Sequence, residues 1–419
     1  MPRHGQTWGS DAPPKRAGAR VRHSSRTRRT SSISPGRRSC LARNIRSSTA
    51  GSSVVSTVLI AGASGLVGTA AALAFAEAGW QVITLSRRTP ELLQGHDYPH
   101  VALDLQDPNA CRDAAKGLSE VSHVVYAAVY EMPGLIAGWS DPQQIETNGR
   151  MLRNLIGPLC ATGSLSHITI LQGTKAYGGH VQRMRIPARE SHARVEHPNF
   201  YWLQEDYIRE QASRHGFGYT IFRPQLIVGP NHGVVMNPIP IIGIYAAIRR
   251  AQGLPFSFPG GVGWVWEAVD TRLIANACVW ATSAHQARDE TFNLTNGEVF
   301  AWRDMWPAMA EVLGVDLGDD EPLSLATYLP AHAHVWDEIV VRHGLQANLL
   351  DDLLGESHHY ADLCLAYGAS TQPAATYLST VKIKQAGFTE TYDTEASVCY
   401  WLEDLMRRKI LPGPLTEPF

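Results

Sequence analysis

Long apolar runs are missing from this chain. The longest, Ile239 to Ile248, is too short to cross a bilayer and is followed at once by Arg249-Arg250. No secretory hydrophobic segment is present either, so membrane partners are not expected. The six cysteines (Cys40, Cys111, Cys160, Cys278, Cys364 and Cys399) lie far apart with no Cys-x-x-Cys pair. This excludes a disulfide scaffold or zinc ribbon and suits reduced thiols in a cytosol-like compartment. His332-Ala-His334 and His358-His359 lack the accompanying ligands of a metal site, so no metal is expected. Basic residues are also scarce outside one region. Residues 1–52 hold 12 Lys/Arg and a single acid, Asp11, leaving 25 basic against 38 acidic residues, a net of −13, for the rest. Such a body has no basic face for a phosphate backbone, which argues against a nucleic-acid partner. The 1–52 segment itself is rich in Arg, Ser and Gly and too polar to bury a core, so a disordered basic tail is expected. Its composition also fits a mitochondrial transit peptide, although Pro13-Pro14 and scattered glycines interrupt any amphipathic helix. The expectation is a cytoplasmic monomer or homodimer, with a mitochondrial location if the tail is a transit peptide.

What is present is a glycine pattern in an informative setting. The apolar run Val54 to Ile60 leads into Ala61-Gly-Ala-Ser-Gly-Leu-Val-Gly68, and then into an Ala-, Leu- and Phe-rich helical stretch, 69–78. Strand, glycine turn and helix in that order are the context in which a dinucleotide pyrophosphate is cradled at a helix N-terminus. Gly62 permits the tight turn, Gly65 the close approach of backbone N–H groups, and Gly68 the packing of helix on strand. Ser64, Leu66 and Val67 belong to the same expected cradle. The next strand-like run, 80–85, ends in Ser86-Arg87-Arg88, roughly 20 residues past the glycines, where an NAD site carries a carboxylate. Two guanidiniums and a hydroxyl there suit a ribose 2′-phosphate, so the expected cofactor is NADPH.

From residue 54 onward strand and helix signals alternate. Apolar strand runs at 54–60, 81–85, 100–103, 123–129, 167–172 and 218–222 are separated by helical patterns at 69–78, 109–117, 143–157 and 200–214. The alternation predicts an α/β Rossmann fold, a doubly wound parallel sheet with ligands outside the carboxyl ends of its strands. After Pro224 the alternation stops. Residues 229–263, rich in Gly, Pro and large apolar side chains, are expected to form loops over a hydrophobic ligand. Thr291-Phe-Asn-Leu reads as one more strand, and 301–313 and 395–408 as amphipathic helices. The expected division is 53–232 plus about 264–297 for the dinucleotide domain. A smaller, mostly helical substrate lobe takes 233–263 and 298–419. Phe256-Ser-Phe258 and Trp264-Val-Trp266, with Met236, either line an apolar pocket or fill the core.

A nicotinamide fold needs a group that donates to the oxygen gaining charge as hydride arrives. Many short-chain dehydrogenases use a Tyr with a Lys four residues later on one helix face. None of the 14 tyrosines here has Lys at that spacing. Either the chain is not a reductase of that kind or the two groups come from separate segments. Only Lys116, Lys175, Lys382, Lys384 and Lys409 follow the tail, and Lys175 alone sits just past a strand end. It reads as a ribose-holding cation or as a solvated loop lysine. Tyr201, at the head of the next helix, reads as core packing or as the donor.

Several motifs in order resemble the progesterone 5β-reductase/iridoid synthase-like enzymes, atypical extended short-chain dehydrogenases. They are Gln172-Gly-Thr-Lys175-Ala-Tyr177-Gly, Asn199-Phe-Tyr201-Trp-Leu-Gln-Glu205-Asp206, and Phe222-Arg-Pro224. Glu146-Thr-Asn-Gly149-x-Met151-Leu-x-Asn154, Asp104-Leu105, and Lys382-Ile-x-x-x-Gly387-Phe388 with Trp401 and Lys409-Ile-Leu-Pro412 agree. The similarity spans about 56 to 412. It implies an NADPH-dependent reductase of the C=C bond of enones and enals, with Lys175 and Tyr201 as the catalytic pair. Tyr201 would hydrogen-bond the substrate carbonyl and Lys175 would support it electrostatically, with the α-carbon protonated later from solvent. Asp104, Leu105, Ala127, Ala128, Gln225 and Ile227 complete the expected cofactor contacts, and the expected partner is a small hydrophobic α,β-unsaturated carbonyl. Two departures stand out: Ala176 where the family often has His, and Trp202 where it has a second Tyr. A carbonyl reductase, a sugar-nucleotide epimerase or dehydratase, and a non-catalytic NADPH sensor are the alternative readings of the same fold.

Overall fold

A computed structural model describes residues 56–414, apart from 134, 136, 347 and 348. The basic tail 1–52 lies outside the described residues. Six apolar strands alternate with helices along the first half: β1 (Thr57–Ala61), α1 (Leu66–Glu77), β2 (Gln81–Ser86), β3 (His100–Ala102), α2 (Pro108–Lys116), β4 (Val121–Tyr126), α3 (Pro142–Cys160), β5 (His167–Leu171), α4 (Phe200–His215) and β6 (Gly218–Pro224). The second half supplies β7 (Leu226–Val228), α5 (Pro238–Ala251), β8 (Val265–Trp266), β9 (Ala268–Asp270), α6 (Thr271–Ala281), β10 (Glu290–Leu294), β11 (Phe300–Ala301) and α7 (Trp302–Leu313). The main sheet has seven strands in the order β10-β6-β5-β4-β1-β2-β3, and every neighbouring pair is parallel.

All residues of β1 and β6 are buried, as expected of strands covered on both faces. One face packs Leu59, Val124, Ile168 and Ile221 under α2, α3 and α4. The other packs Val58, Ile60, Phe222 and Phe292 under α1 and α6. The strand order reverses between β1 and β4, which opens a crevice above their carboxyl ends. Helix starts follow local chemistry. The carboxylates of Asp107 and Asp141 cap α2 and α3, each with Pro at the first helical position.

The expectation of loops over 229–263 is corrected by α5. Its start carries the same signal, with the Asn237 side chain accepting from the Ile239 N–H ahead of Pro238. Twelve of its fourteen residues are buried. A helix apolar all round shows no amphipathic stripe, so periodicity alone cannot separate it from a ligand-covering loop. Around α5 a second core gathers α7, the C-terminal helix Thr394–Arg407 and the short helices between 325 and 364. Phe256 and Phe258 belong to this core, Phe256 stacked on Trp306 with ring centroids 4.3 Å apart.

Candidate active site

The crevice above β1 and β4 is a cleft of about 990 Å³. Gly62 turns with φ +88°, and a Cβ there would meet the Ala128 backbone N at 2.6 Å. Only glycine fits both the turn and the end of β4. A Cβ on Gly68 would lie 2.1 Å from the Gly62 carbonyl oxygen, so Gly68 lets α1 seat against the turn. Gly65 differs, because a Cβ there would touch only the Gly62 oxygen, at 3.4 Å. It faces open cleft. Gly65 is also the N-cap of α1 without a side-chain cap, which leaves the first N–H groups of the helix free for an anion. The loop is held from behind by Asn231, whose Nδ2 donates to Ser64 O at 3.3 Å and to Thr69 Oγ1 at 3.1 Å.

Ser64, Leu66, Val67, Ser86, Arg87, Arg88, Asp104, Leu105, Ala127, Ala128, Lys175, Tyr201, Gln225 and Ile227 all line this one cleft, together with Gly62 and Gly65; Gly68 alone lies behind it. Arg87 and Arg88 are exposed and, among the described residues, have no acidic partner. The Ser86 hydroxyl donates to Arg88 O at 2.7 Å, so it shapes the turn that presents the two guanidiniums. At the far wall the Gln225 amide donates to Thr376 O and Oγ1.

Lys175 and Tyr201 come from separate segments joined by one side chain. Asn199 Oδ1 accepts from the Tyr201 N–H at 3.0 Å, while its Nδ2 donates to Lys175 O at 3.1 Å. The helix cap of α4 is thereby also the clamp on the lysine loop. Beneath Tyr201, Gln172 Nε2 donates to the Tyr201 carbonyl (3.3 Å) and to Glu205 Oε2 (3.2 Å). Arg223 closes the network on Gln172 and Glu205, which gives the Phe-Arg-Pro segment its structural purpose. Tyr201 is 8% exposed, and its hydroxyl has no hydrogen-bond partner among the described residues. Burial holds the phenol well above its ordinary value; nearby Glu131 pushes the same way and Arg223 opposes them. Tyr201 is therefore a neutral donor across the physiological range.

Lys175 faces Glu131, at 3.8 Å, with its Nζ 4.0 Å from the centroid of the Trp139 ring. Burial lowers the ammonium and Glu131 works against that. Glu131 itself is raised by burial, against Lys175 and Gln144. No motif pointed to Glu131. Its segment is pinned from α3, where Asn148 Oδ1 accepts from the Tyr130 N–H and Gln144 Oε1 from the Met132 N–H. The tandem Trp264 and Trp266, 4.1 Å apart, cover the apolar end with Met236, Tyr360 and Leu363. Met236 and the Trp pair are thus cleft residues, whereas Phe256 and Phe258 are core.

Glu267, 7% exposed, anchors the 373–378 strap on the cleft by accepting the Leu378 N–H at 2.7 Å. Burial raises its carboxyl to about 7 against the pull of that hydrogen bond. A carboxyl raised on folding stabilises fully below its unfolded value, and the benefit is lost as pH climbs through about 7. Glu267→Gln keeps the acceptor without the charge. Its stability relative to the parent should therefore rise by about 2 kcal/mol between about pH 5 and pH 8 in denaturant titrations. A constant difference across that window would remove Glu267 as the cause.

Among the described residues no helix is long and apolar enough to cross a membrane. A family model described as the PRISE-like Rossmann-fold domain matches residues 113–412. The (S)-8-oxocitronellyl enol synthase of Nepeta cataria is 29% identical over 380 residues, covering 85% of this chain and 93% of the relative. The 3-oxo-Δ4,5-steroid 5β-reductase of Arabidopsis thaliana is 29% identical over 377 residues, with the same coverage of each. Among solved structures, a UDP-glucose 4-epimerase of Thermotoga maritima superposes with a TM-score of 0.61 at 16% identity, over 84% of this chain and 99% of the other. The Thermus thermophilus UDP-glucose 4-epimerase in complex with NAD gives 0.58 at 18%, again over 84% and 99%. These two likenesses agree with the α/β Rossmann fold of the parallel sheet.

Proposed function

The chain belongs to the PRISE-like Rossmann-fold family, and on that premise we propose that it is an NADPH-dependent reductase of the C=C bond of small hydrophobic enones and enals. The observation that carries this reading is Tyr201, a buried neutral phenol whose hydroxyl has no partner among the described residues, facing the same cleft as Lys175. The names of the relatives, an enol synthase and a steroid 5β-reductase, support it.

The residues present fit a dinucleotide phosphate. Gly65 with the free N–H groups at the start of α1 would hold the pyrophosphate, and Arg87 and Arg88 the 2′-phosphate. Asp104 and Leu105 would meet the base, and Ala127, Ala128, Gln225 and Ile227 the nicotinamide half. Bound NADPH supplies hydride to the β-carbon. The Tyr201 O–H donates to the carbonyl oxygen and stabilises the enolate charge as it develops, in a site where Trp264, Trp266 and Tyr360 limit water. Lys175 adds a positive charge on the same wall.

The test is NADPH oxidation by the full chain with simple enones, enals and progesterone, beside matched saturated ketones, followed by product analysis. Saturated carbonyl products are expected. Alcohols formed from the saturated ketones would move the protein to the carbonyl reductases. Tight NADPH binding without turnover on any of them would favour a sensor.

A further inference from the structure

The lysine of this site does not hydrogen-bond the tyrosine it is paired with. Its nearest charged partner is Glu131, whose side chain is 1% exposed and lines the cleft. Glu131 Oε2 accepts from Gln144 Nε2 on α3, whereas Oε1, 3.8 Å from the ammonium, has no hydrogen-bond partner among the described residues. The backbone on either side of Glu131 is fixed by Asn148 and Gln144, so the carboxylate reaches the lysine from a rigid mount. Trp139 covers the other side of the ammonium. Such a carboxylate costs folding free energy to bury, and among the described residues the one basic group it pairs with is Lys175.

We propose that Glu131 is a positioning residue, which anchors the Lys175 ammonium on the cleft wall so that Lys175 acts on the reaction by its charge and not by bonding Tyr201. The proposal rests on the reading of Lys175 and Tyr201 given above. The other titratable groups facing this pair are His180, beyond the lysine loop and held down to about 4 by burial, and Tyr201 from α4. His180 stays neutral near neutral pH and leaves Glu131 as the charged group that opposes the lowering of the Lys175 ammonium by burial.

The experiment compares the full chain with Glu131→Gln and Glu131→Asp. Acylation of Lys175 by acetic anhydride is followed across pH by peptide mass spectrometry, with exposed Lys116 as internal reference. An opposite charge within about 4–6 Å raises an ammonium by about one pH unit or more. The Glu131→Gln midpoint should therefore lie about one pH unit or more below the parent, a roughly tenfold faster labelling at pH values beneath both. Glu131→Asp should fall between. In parallel, the alkaline limb of kcat with an enone should move to lower pH in Glu131→Gln and return towards the parent in Glu131→Asp. Equal midpoints in parent and Glu131→Gln overturn the proposal. If Glu131→Gln fails to bind NADPH, the Glu131→Asp midpoint decides, and one equal to the parent's overturns it. Labelling needs no turnover, so an inactive parent would sink the enone reading while the lysine midpoint still decides the pairing.

Discussion

Tyr201→Phe should lower kcat on an enone by about a hundredfold or more, while the NADPH dissociation constant stays within about twofold of the parent. The change removes one O–H and keeps the ring, which packs edge-on against Phe200 at 4.6 Å and forms a small core with Ile145 and Ala176. Among the described residues no group bonds that hydroxyl, so its loss leaves no partner stranded there and little stability should be lost. On the proposed reading the donor would act where charge develops, and removing one such donor typically costs about a hundred- to a thousandfold. Because burial and Glu131 hold the phenol protonated, the loss should be equal at neutral and mildly alkaline pH. Steady-state kinetics with an NADPH fluorescence titration check both halves. Unchanged turnover would remove Tyr201 from the chemistry; a loss confined to NADPH affinity would make it a cofactor contact.

The parts of this site that could be read from the sequence are those where one residue does one local job. Gly62 and Gly68 are forced by backbone approach, and a strand before them and a helix after them announce the turn. The sheet was legible because central strands such as β1 and β6, buried on both faces, are continuous apolar runs at the expected spacing. Asn199 shows the limit. As a helix cap it is visible in the sequence, but its second bond, to the Lys175 carbonyl, exists only in three dimensions. Glu131 was invisible for the same reason. Nothing adjacent to it marks a buried carboxylate, and its partners Gln144 and Lys175 are 13 and 44 positions away. Helix α5 failed differently, since a segment buried on every side carries no polar stripe to give its period away. The split of the aromatic cluster, Trp264 and Trp266 to the cleft and Phe256 and Phe258 to the core, depends on where that helix lies.

Replacing Arg87 and Arg88 together by Ala should weaken NADPH by about a hundredfold or more and leave NADH within about threefold. The two guanidiniums follow β2, held on a turn whose geometry comes from the Ser86 hydroxyl and the Arg88 carbonyl. Both line the cleft, and neither is engaged by an acid among the described residues, so their donors are available to a 2′-phosphate. A charge-assisted hydrogen bond is worth about 1.5–3 kcal/mol, and losing two of them accounts for the expected factor. NADH lacks the 2′-phosphate and should not register the change, because on the proposed reading its pyrophosphate would rest on Gly65 and the start of α1. Raising the salt concentration should weaken NADPH binding by the parent and leave the double variant nearly indifferent, since exposed charges are screened. Paired titrations of both cofactors against both proteins decide the matter. Equal losses for NADPH and NADH would mean that the arginines support the fold of the turn, and the cofactor preference would then have to come from the neighbouring carboxyl end of β3, where Asp104 and Leu105 share the cleft.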